Sequence, residues 1–345
     1  MTGSNPYPQR PFIIPVFITH AGCPHRCVFC NQVVIADQTN RLALAEIEAH
    51  IEQFLAYRQN NRSITQISFY GGNFLGLPAN VCQDLLALAD RFVRAGHVDT
   101  IRFSTRPDTI TPDRLNFIKA FHVATVELGV QSMHDQVLQA ARRGHTSADT
   151  VGAVKHLKDA GLEGGLQRLI GLPGDTPATA LASGQQIAGL APDFVRIYPT
   201  LVLENSRLAR WYQEGRYRPL DLEEAVDLTA QLYRLFTRQG IDVVRMGLQA
   251  SKALDLDGQV LAGPYHPAFG HLVYARIFRD QIVTLLKTKE KLTLKALHIS
   301  VHPRNLSRVQ GLKNENLAYL QAQFKLEDIR VIPDRGVGLD DVKIS

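Results

Sequence analysis

The sequence predicts an α/β chain, a partial (βα)6-type TIM barrel with a small C-terminal α+β subdomain. Three observations carry this. From residue 12 to about 250, short apolar runs alternate with helix-period segments. Strand–helix units in such regular alternation imply parallel strands joined by helical crossovers. Beyond residue 250 the order changes to helix, strand, two helices and strand. About six or seven units fit before that change, which suits a partial barrel better than a doubly wound open sheet. The division that follows is an N-terminal tail over 1–11, a core over 12–250 and a basic subdomain over 251–345.

Phe12–His20 reads as the first strand. Leu42–Tyr57 reads as a helix, with Leu44, Ile47, Ile51 and Leu55 on one face. Gln66–Tyr70 is a strand running into Gly71-Gly72, and Val81–Val93 a helix. Thr100–Ser104 is a strand followed by a Pro-Asp turn, and Thr111-Pro112 opens a helix with Pro at its first position. Val123–Val130 is a strand, and the long helical region after it breaks at Gly144. Gly164–Ile170 is a strand, Thr176–Gly189 a helix, Phe194–Tyr198 a strand, Leu222–Arg238 a helix and Ile241–Met246 the last barrel strand. Asp255–Pro267 reads as a loop and Phe269–Leu286 as a helix. Leu294–Val301, Asn305–Val309, Asn314–Lys325 and Asp328–Ile332 then read as strand, helix, helix and strand. In both α/β arrangements, sites form where strands end.

The chain has 345 residues, 45% of them hydrophobic, with 38 Lys+Arg against 33 Asp+Glu. That apolar fraction excludes a disordered chain, and four cysteines exclude a disulfide scaffold. The early apolar run Phe12–Ile18 is short and broken by Pro15, so it is neither a spanning helix nor a signal peptide. The expected location is cytoplasmic. Most of the net charge of +5 falls in residues 281–345, which hold 11 Lys+Arg and 7 Asp+Glu. A basic segment there is either a solvated face or a polyanion-binding element. Gly311-Leu312-Lys313-Asn314 lies between two helices in strand–helix–helix–strand order, the place of the GXXG loop in a KH nucleic-acid-binding core, without the second glycine. The alternative is a plain capping subdomain.

Three of the four cysteines, Cys23, Cys27 and Cys30, stand together in the loop after the first strand. A closed zinc site would need Cys82 or His25 as a fourth ligand. Cys82 lies among Leu85, Leu86 and Val93, where free cysteine behaves as a small apolar residue. A Cys27/Cys30 redox pair leaves Cys23 without a role. An iron–sulfur cubane held by three thiolates suits the set better and leaves one iron open.

Cys23-X3-Cys27-X2-Cys30, with Phe29 before the last cysteine, resembles the signature of the radical S-adenosylmethionine (SAM) superfamily. The resemblance covers about residues 12–250. It implies a [4Fe-4S] cluster on Cys23, Cys27 and Cys30, and SAM chelated to the open iron. It also implies reductive cleavage of SAM to a 5′-deoxyadenosyl radical, and an electron donor such as flavodoxin or ferredoxin. Phe29 would then flank the adenine. Gly71-Gly72-Asn73 resembles the family's GGE-type turn at the SAM amino group, with Asn73 in place of Glu or Thr. Glu127-Leu-Gly-Val-Gln131-Ser132 resembles the ELGVQS segment of the Elongator catalytic-subunit-like and oxygen-independent coproporphyrinogen-oxidase-like branch. There Gln131 would contact the SAM ribose and Gln167 would be a second ribose contact. Alternation turns Glu127 the same way as Gln131, either toward the cofactor or into a structural ion pair.

Thr105-Arg106-Pro107-Asp108 resembles the TRPD segment of Elongator-type enzymes. Arg106 would grip the SAM carboxylate or pair with Glu127. Arg143-Gly-His145-Thr resembles the same group's RGHT-like segment, with His145 facing substrate or serving a cap. Alternation sends Arg168 away from Gln167, toward helices outside the barrel, while Arg196 and Tyr198 would line the pocket floor. Elongator-type enzymes carry an acetyltransferase domain after the radical domain, and the expectation here is a chain without one. The basic tail keeps tRNA or other RNA as the substrate candidate. Tetrapyrrole or haem chemistry, a non-catalytic iron–sulfur protein and a zinc-stabilised RNA-binding protein are the alternatives.

Overall fold

A computed structural model describes residues 11–18, 22–24, 26–31, 43–57, 64–249, 254, 258–288 and 295–345. The barrel strands are β1 (Phe12–Phe17), β2 (Thr65–Tyr70), β3 (Thr100–Thr105), β4 (Val123–Gln131), β5 (Glu163–Ile170), β6 (Phe194–Pro199) and β8 (Asp242–Met246). They form one sheet in that order, every pair parallel. The sheet curls into a half-barrel whose two edge strands, β1 and β8, do not pair with each other. Between β6 and β8 the chain makes β7 (Val202–Leu203), which pairs antiparallel with β9 (Val260–Ala262). The stretch expected as a loop from Asp255 to Pro267 therefore contains a strand. Two residues show no alternation, so this pairing is invisible before the fold is known.

Helices α1 (Leu44–Ala56), α2 (Ala79–Arg94), α3 (Pro112–Ile118), α4 (Asp135–Ala140), α5 (Ser147–Asp159), α6 (Pro177–Gly189), α7 (Arg207–Gln213) and α8 (Leu222–Arg238) fill the crossovers. Local chemistry sets their ends. The Thr111 hydroxyl accepts from Arg114 N and Pro112 opens α3, while Thr146 with Asp149 and Asp221 with Glu224 form capping boxes on α5 and α8. The apolar faces of α1, α2, α3, α5, α6 and α8 and of the strands form one core, around Ile14, Phe69, Phe103, Leu128, Ile197 and Phe236. No helix among the described residues is long and apolar enough to cross a membrane.

The C-terminal part is built from α9 (Phe269–Thr288), β10 (Ala296–Val301), α10 (Leu306–Gln310), α11 (Glu315–Phe324), β11 (Asp328–Pro333) and β12 (Val342–Ile344). β10 is central, parallel to β11 and antiparallel to β12. The long helix α9 bridges the two cores. Phe269, Val273 and Ile277 join the barrel core, whereas Phe278, Ile282 and Leu286 join the second cluster with Leu297, Ile299 and Leu320. Arg276 and Arg234 tie α9 to α8 through Glu223, Asp227 and Asp280. Part of the tail's positive charge is already engaged: Lys295 pairs with Glu327, and Arg308 lies over the Tyr274 ring. Lys289 and Lys291 lie outside the described residues, as do Thr19 and His20 of the expected first strand and the tail over 1–10.

Candidate active site

The ends of β1 to β6 converge on the segment that carries the three cysteines. Its central turn is stitched on both sides. Val28 N donates to Ala141 O at 3.1 Å, and Leu208 N donates to Val28 O at 2.8 Å. Cys30 N closes a turn onto Cys27 O at 3.2 Å, and the Asn31 amide reaches Glu204 O at 2.6 Å. The loop is thus held against the ends of α4 and α7. Val28 is fully buried with Leu172, Val202 and Leu208, and Phe29 packs on that same small apolar cluster.

Cys23 is exposed, Cys30 half-buried and Cys27 buried, and all are free thiols. Burial pushes the Cys30 thiol up to about 12, and Cys27 and Cys23 push the same way. Among the described residues no three His, Cys, Asp or Glu side chains are drawn together as a ready metal-holding group. His25, the alternative fourth zinc ligand, lies outside the described residues. Cys82 is buried in the barrel core, its thiol donating to Phe74 O at 3.1 Å.

Arg143 supplies a contact the sequence does not announce. Its guanidinium donates to Cys27 Sγ at 3.1 Å and to Gly129 O at 2.6 Å, joining the cysteine loop to β4. The only signal is its place in the RGHT-like segment, since the two residues stand 116 positions apart. A Cβ on Gly129 would meet the Arg143 guanidinium at 3.3 Å and the Gln131 amide at 3.0 Å, so the missing side chain makes room for both.

Gly71 has φ +87°, a conformation open to glycine and strained for other residues. It begins the turn through Gly72 into Asn73. The side chain of Asn73, in the turn expected at the SAM amino group, is completely buried and engaged within the chain. Its Oδ1 accepts from Thr105 Oγ1 at 2.7 Å, Arg106 N at 3.0 Å and Thr109 Oγ1 at 3.0 Å. Its Nδ2 donates to Gly22 O at 2.9 Å. Asn73 therefore fastens the start of the cysteine loop to the end of β3. The packing is interlocked: a Cβ on Gly22 would lie 2.1 Å from Asn73 O, and one on Gly76 2.2 Å from Asn73 Nδ2.

Arg106 pairs with Asp108 rather than with Glu127: the carboxylate two residues later takes Nε and Nη2, each at 2.9 Å. Only its buried Nη1 has no hydrogen-bond partner among the described residues.

Glu127 is fully buried and forms the floor of the barrel. One oxygen lies 2.9 Å from Arg196 Nη2, 3.6 Å from Arg102 Nε and 3.3 Å from Tyr70 OH. The other accepts from the Gln167 amide at 2.8 Å. The structural ion pair is therefore what the fold builds at this carboxylate, with Gln167 hydrogen-bonded into it. Arg196 also donates to Tyr198 and Tyr70, placing both floor residues in this network.

Gln131 differs. A register irregularity between Gly129 and Gln131, with φ +67° at Gln131, turns the end of β4 outward from the ladder. Its amide has no hydrogen-bond partner among the described residues, so it remains available to a ligand. Its carbonyl is held by Arg168, which also pairs with Asp175 at 3.5 Å. Arg168 thus braces the strand end. His145 is buried, its Nε2 donates to Val130 O at 3.2 Å, and its pKa is pushed down to about 4 by burial and by the charges of Arg143 and Arg106. It is a neutral imidazole at physiological pH.

Two family models match the chain: the radical SAM superfamily over residues 17–183 and the radical SAM C-terminal domain over residues 192–279. The uncharacterized protein MJ0486 of Methanocaldococcus jannaschii is 26% identical over 71% of this chain and 80% of its own length. A tRNA uridine(34) acetyltransferase of the same organism is 35% identical over 36% of this chain, and only 24% of that relative is spanned. The fold matches that of Elp3 from Methanocaldococcus infernus with TM-score 0.60 at 20% identity, covering 78% of this chain and 63% of the other. The cysteine loop on a seven-stranded half-barrel and the matched segments from residue 17 to 279 together show that the chain belongs to the radical SAM superfamily, as an enzyme whose family cofactors are a [4Fe-4S] cluster and SAM.

Proposed function

We propose that Cys23, Cys27 and Cys30 hold the cluster, and that the substrate is RNA. The observation that carries the first assignment is the anchored cysteine loop. Three soft thiol donors sit on a segment pinned through Val28, Gly22 and Arg143, which matches the donor chemistry of an iron–sulfur centre. Arg143 donates to the Cys27 sulfur, and hydrogen bonds to ligand sulfurs tune such centres. The Gln131 amide and the Gly71-Gly72 turn are the groups left open for SAM. The chemistry supplied by the two groups together, when bound, is reductive cleavage of SAM to methionine and a 5′-deoxyadenosyl radical.

Support for RNA comes from the C-terminal sheet and from the relatives' names. Gly311, Lys313 and Asn314 all have positive φ, of 75°, 50° and 66°. Asn314 thus takes the backbone form that a second glycine would favour, which Asn tolerates better than most residues. The loop exposes Lys313 between α10 and α11, as a phosphate-clamping turn does. The chain spans a quarter of the tRNA-modifying relative named above, so that protein's activity is not carried over.

Anaerobic reconstitution with iron, sulfide, a strong reductant and SAM tests the first assignment. The expected product is 5′-deoxyadenosine. Cys23→Ala, Cys27→Ala or Cys30→Ala should each lose the cluster, and Cys82→Ala should keep it. A cluster that survives loss of any one of the three refutes the ligand set. For RNA, Lys313→Glu in the full chain should reduce RNA crosslinking without changing cluster content. Crosslinking that is absent in the wild type, or untouched by Lys313→Glu, removes the RNA assignment.

A further inference from the structure

An open basin of about 730 Å³ lies beside the cysteine loop, and Arg26, Arg142 and Arg207 stand on its wall. Their convergence follows from the backbone. Val28 N bonds Ala141 O, and Leu208 N bonds Val28 O. Arg26 precedes Val28 by two residues, Arg142 follows Ala141 and Arg207 precedes Leu208. The two hydrogen bonds that pin the loop therefore bring three cations from three separate segments onto one rim.

None of the three guanidinium groups has a hydrogen-bond or ion-pair partner among the described residues. Asp135, the one carboxylate among the described wall residues, already accepts from Ser147 N at 2.7 Å. Arg142 has φ +53°, at the end of α4 where a helix commonly exits through glycine. Its neighbour Arg143 turns inward to Cys27 Sγ. Two consecutive arginines thus face opposite ways, one to the surface basin and one to the ligand sulfur.

We propose that this basin is the docking surface for the reductase partner: a small acidic redox protein carrying a flavin or an iron–sulfur centre. The inference rests on the radical SAM reading of the cysteine loop. Such an enzyme takes one electron from its donor; the donor's reduced centre is oxidised by one electron and the cluster is reduced by one. The donor must approach the cysteines from outside, because the inner side faces the Gln131 and Gly71 groups left for SAM. The basin adjoins that loop through Arg26, which stands between Cys23 and Cys27, and through Arg142, the neighbour of the Arg143 that reaches Cys27 Sγ. Guanidinium groups match carboxylates bidentately, and three unpartnered ones steer an acidic surface over distance. A single-stranded RNA is favoured less, since the described residues of the basin wall include no Phe, Tyr or Trp on which a base could stack.

The test compares two reductants on the cluster-loaded full chain by stopped-flow absorbance of cluster bleaching. One is a reduced acidic flavodoxin, the other a photoreduced neutral deazaflavin. The triple variant Arg26→Glu, Arg142→Glu, Arg207→Glu should slow reduction by flavodoxin about tenfold or more at low salt, converging with wild type at high salt. The deazaflavin rate should be unchanged. Arg142→Gly relaxes the backbone while deleting one charge, and should give a smaller loss with flavodoxin alone. Flavodoxin binding to the metal-free protein, followed by calorimetry, should weaken in the same order.

Unchanged flavodoxin kinetics in the folded variants overturn the proposal. So does an equal loss with both reductants, which would place the arginines in the cluster's own support. Loss of RNA binding with flavodoxin binding intact would reassign the basin to nucleic acid. A wild-type chain with no cluster to bleach would instead fail the radical SAM reading itself. Should the triple variant not fold, Arg142→Gly and the single reversal Arg207→Glu decide the same question.

Discussion

Two buried polar knots hold the mouth of the barrel, and they are made differently. The knot around Asn73 is neutral. Its partners are mostly backbone groups and hydroxyls at loop starts: Gly22 O, Arg106 N, Thr105 and Thr109. The knot around Glu127 is ionic. Its partners are side chains of strand residues, Arg102, Arg196, Gln167 and Tyr70. The difference follows from what each must fix. A side-chain amide that both donates and accepts can bind two chain segments in one orientation, and it adds no net charge next to the thiols. The barrel interior already has its backbone fixed by the sheet, so a carboxylate there serves to neutralise two guanidiniums that point into a closed space.

The largest expected effect breaks the ionic knot. Glu127→Ala leaves Arg102 and Arg196, both largely buried, without their shared counter-charge. Removing one partner of a buried ion pair costs about 3–5 kcal/mol. Urea unfolding should show a lower midpoint with an unchanged slope. Glu127→Gln keeps the shape and the Gln167 contact and should cost less. A Glu127→Ala loss no greater than that of Glu127→Gln would mean that the charge contributes nothing there.

Breaking the neutral knot comes next. Asn73→Ala strands the Arg106 amide and the Gly22 carbonyl, at about 3 kcal/mol, the upper end for buried groups left unsatisfied. The pattern should separate it from the ionic case. Hydrogen exchange should rise first in residues 22–31 and 74–76, and only weakly in the strands. A uniform rise across the sheet would make Asn73 one more core residue rather than the fastener of the cysteine loop.

How far each knot was visible in the sequence is itself instructive. Alternating strands and helices were legible because each depends on local period, and the seven barrel strands fall within a few residues of the expected runs. Cys82 was legible as a core residue because its helix neighbours are apolar. Asn73 and Arg106 show where local reading stops. Residue type shows what a side chain can bind, whereas the fold decides what reaches it first. Asp108, in the turn that follows β3, occupies Arg106. Groups 32 to 51 positions away occupy Asn73. Arg143 was seen as part of a motif, but its contact with Cys27 spans 116 positions and has no local signature.

His145 offers a pH-dependent way to sharpen the contrast, because it is kept neutral by the same two arginines that frame the cysteine loop. Its folded pKa lies near 4, below the ordinary 6.5, with burial the first cause. Between pH 6.5 and 4 the unfolded chain takes up a proton there that the native chain refuses. Stability from this group is therefore present above pH 6.5 and is lost as pH falls toward 4, on the order of 3 kcal/mol. Unfolding free energies of wild type and His145→Asn, measured from pH 7.5 to 4, should converge as the pH falls. Parallel curves would mean that His145 titrates normally and is open to solvent.

The smallest effect is expected at Cys82, which supports the neutral knot from behind. Its thiol donates to Phe74 O, one residue after Asn73, and its side chain fills part of the barrel core. Sulfur is a weak donor and the deleted volume is small, so Cys82→Ala should cost about 1 kcal/mol. Iron and sulfide content after reconstitution should stay at the wild-type level, since Cys82 is held by the turn through residues 73–76 rather than by the cysteine loop. A fall in iron with Cys82→Ala would have a definite meaning. Either the fourth thiol completes a closed ligand set, or the turn under Asn73 is so tightly coupled to the loop that losing one sulfur displaces Gly22. The double variant Asn73→Ala, Cys82→Ala separates these. Additive losses in stability with iron lost only alongside Cys82 point to ligation, and a less-than-additive stability loss points to the shared turn.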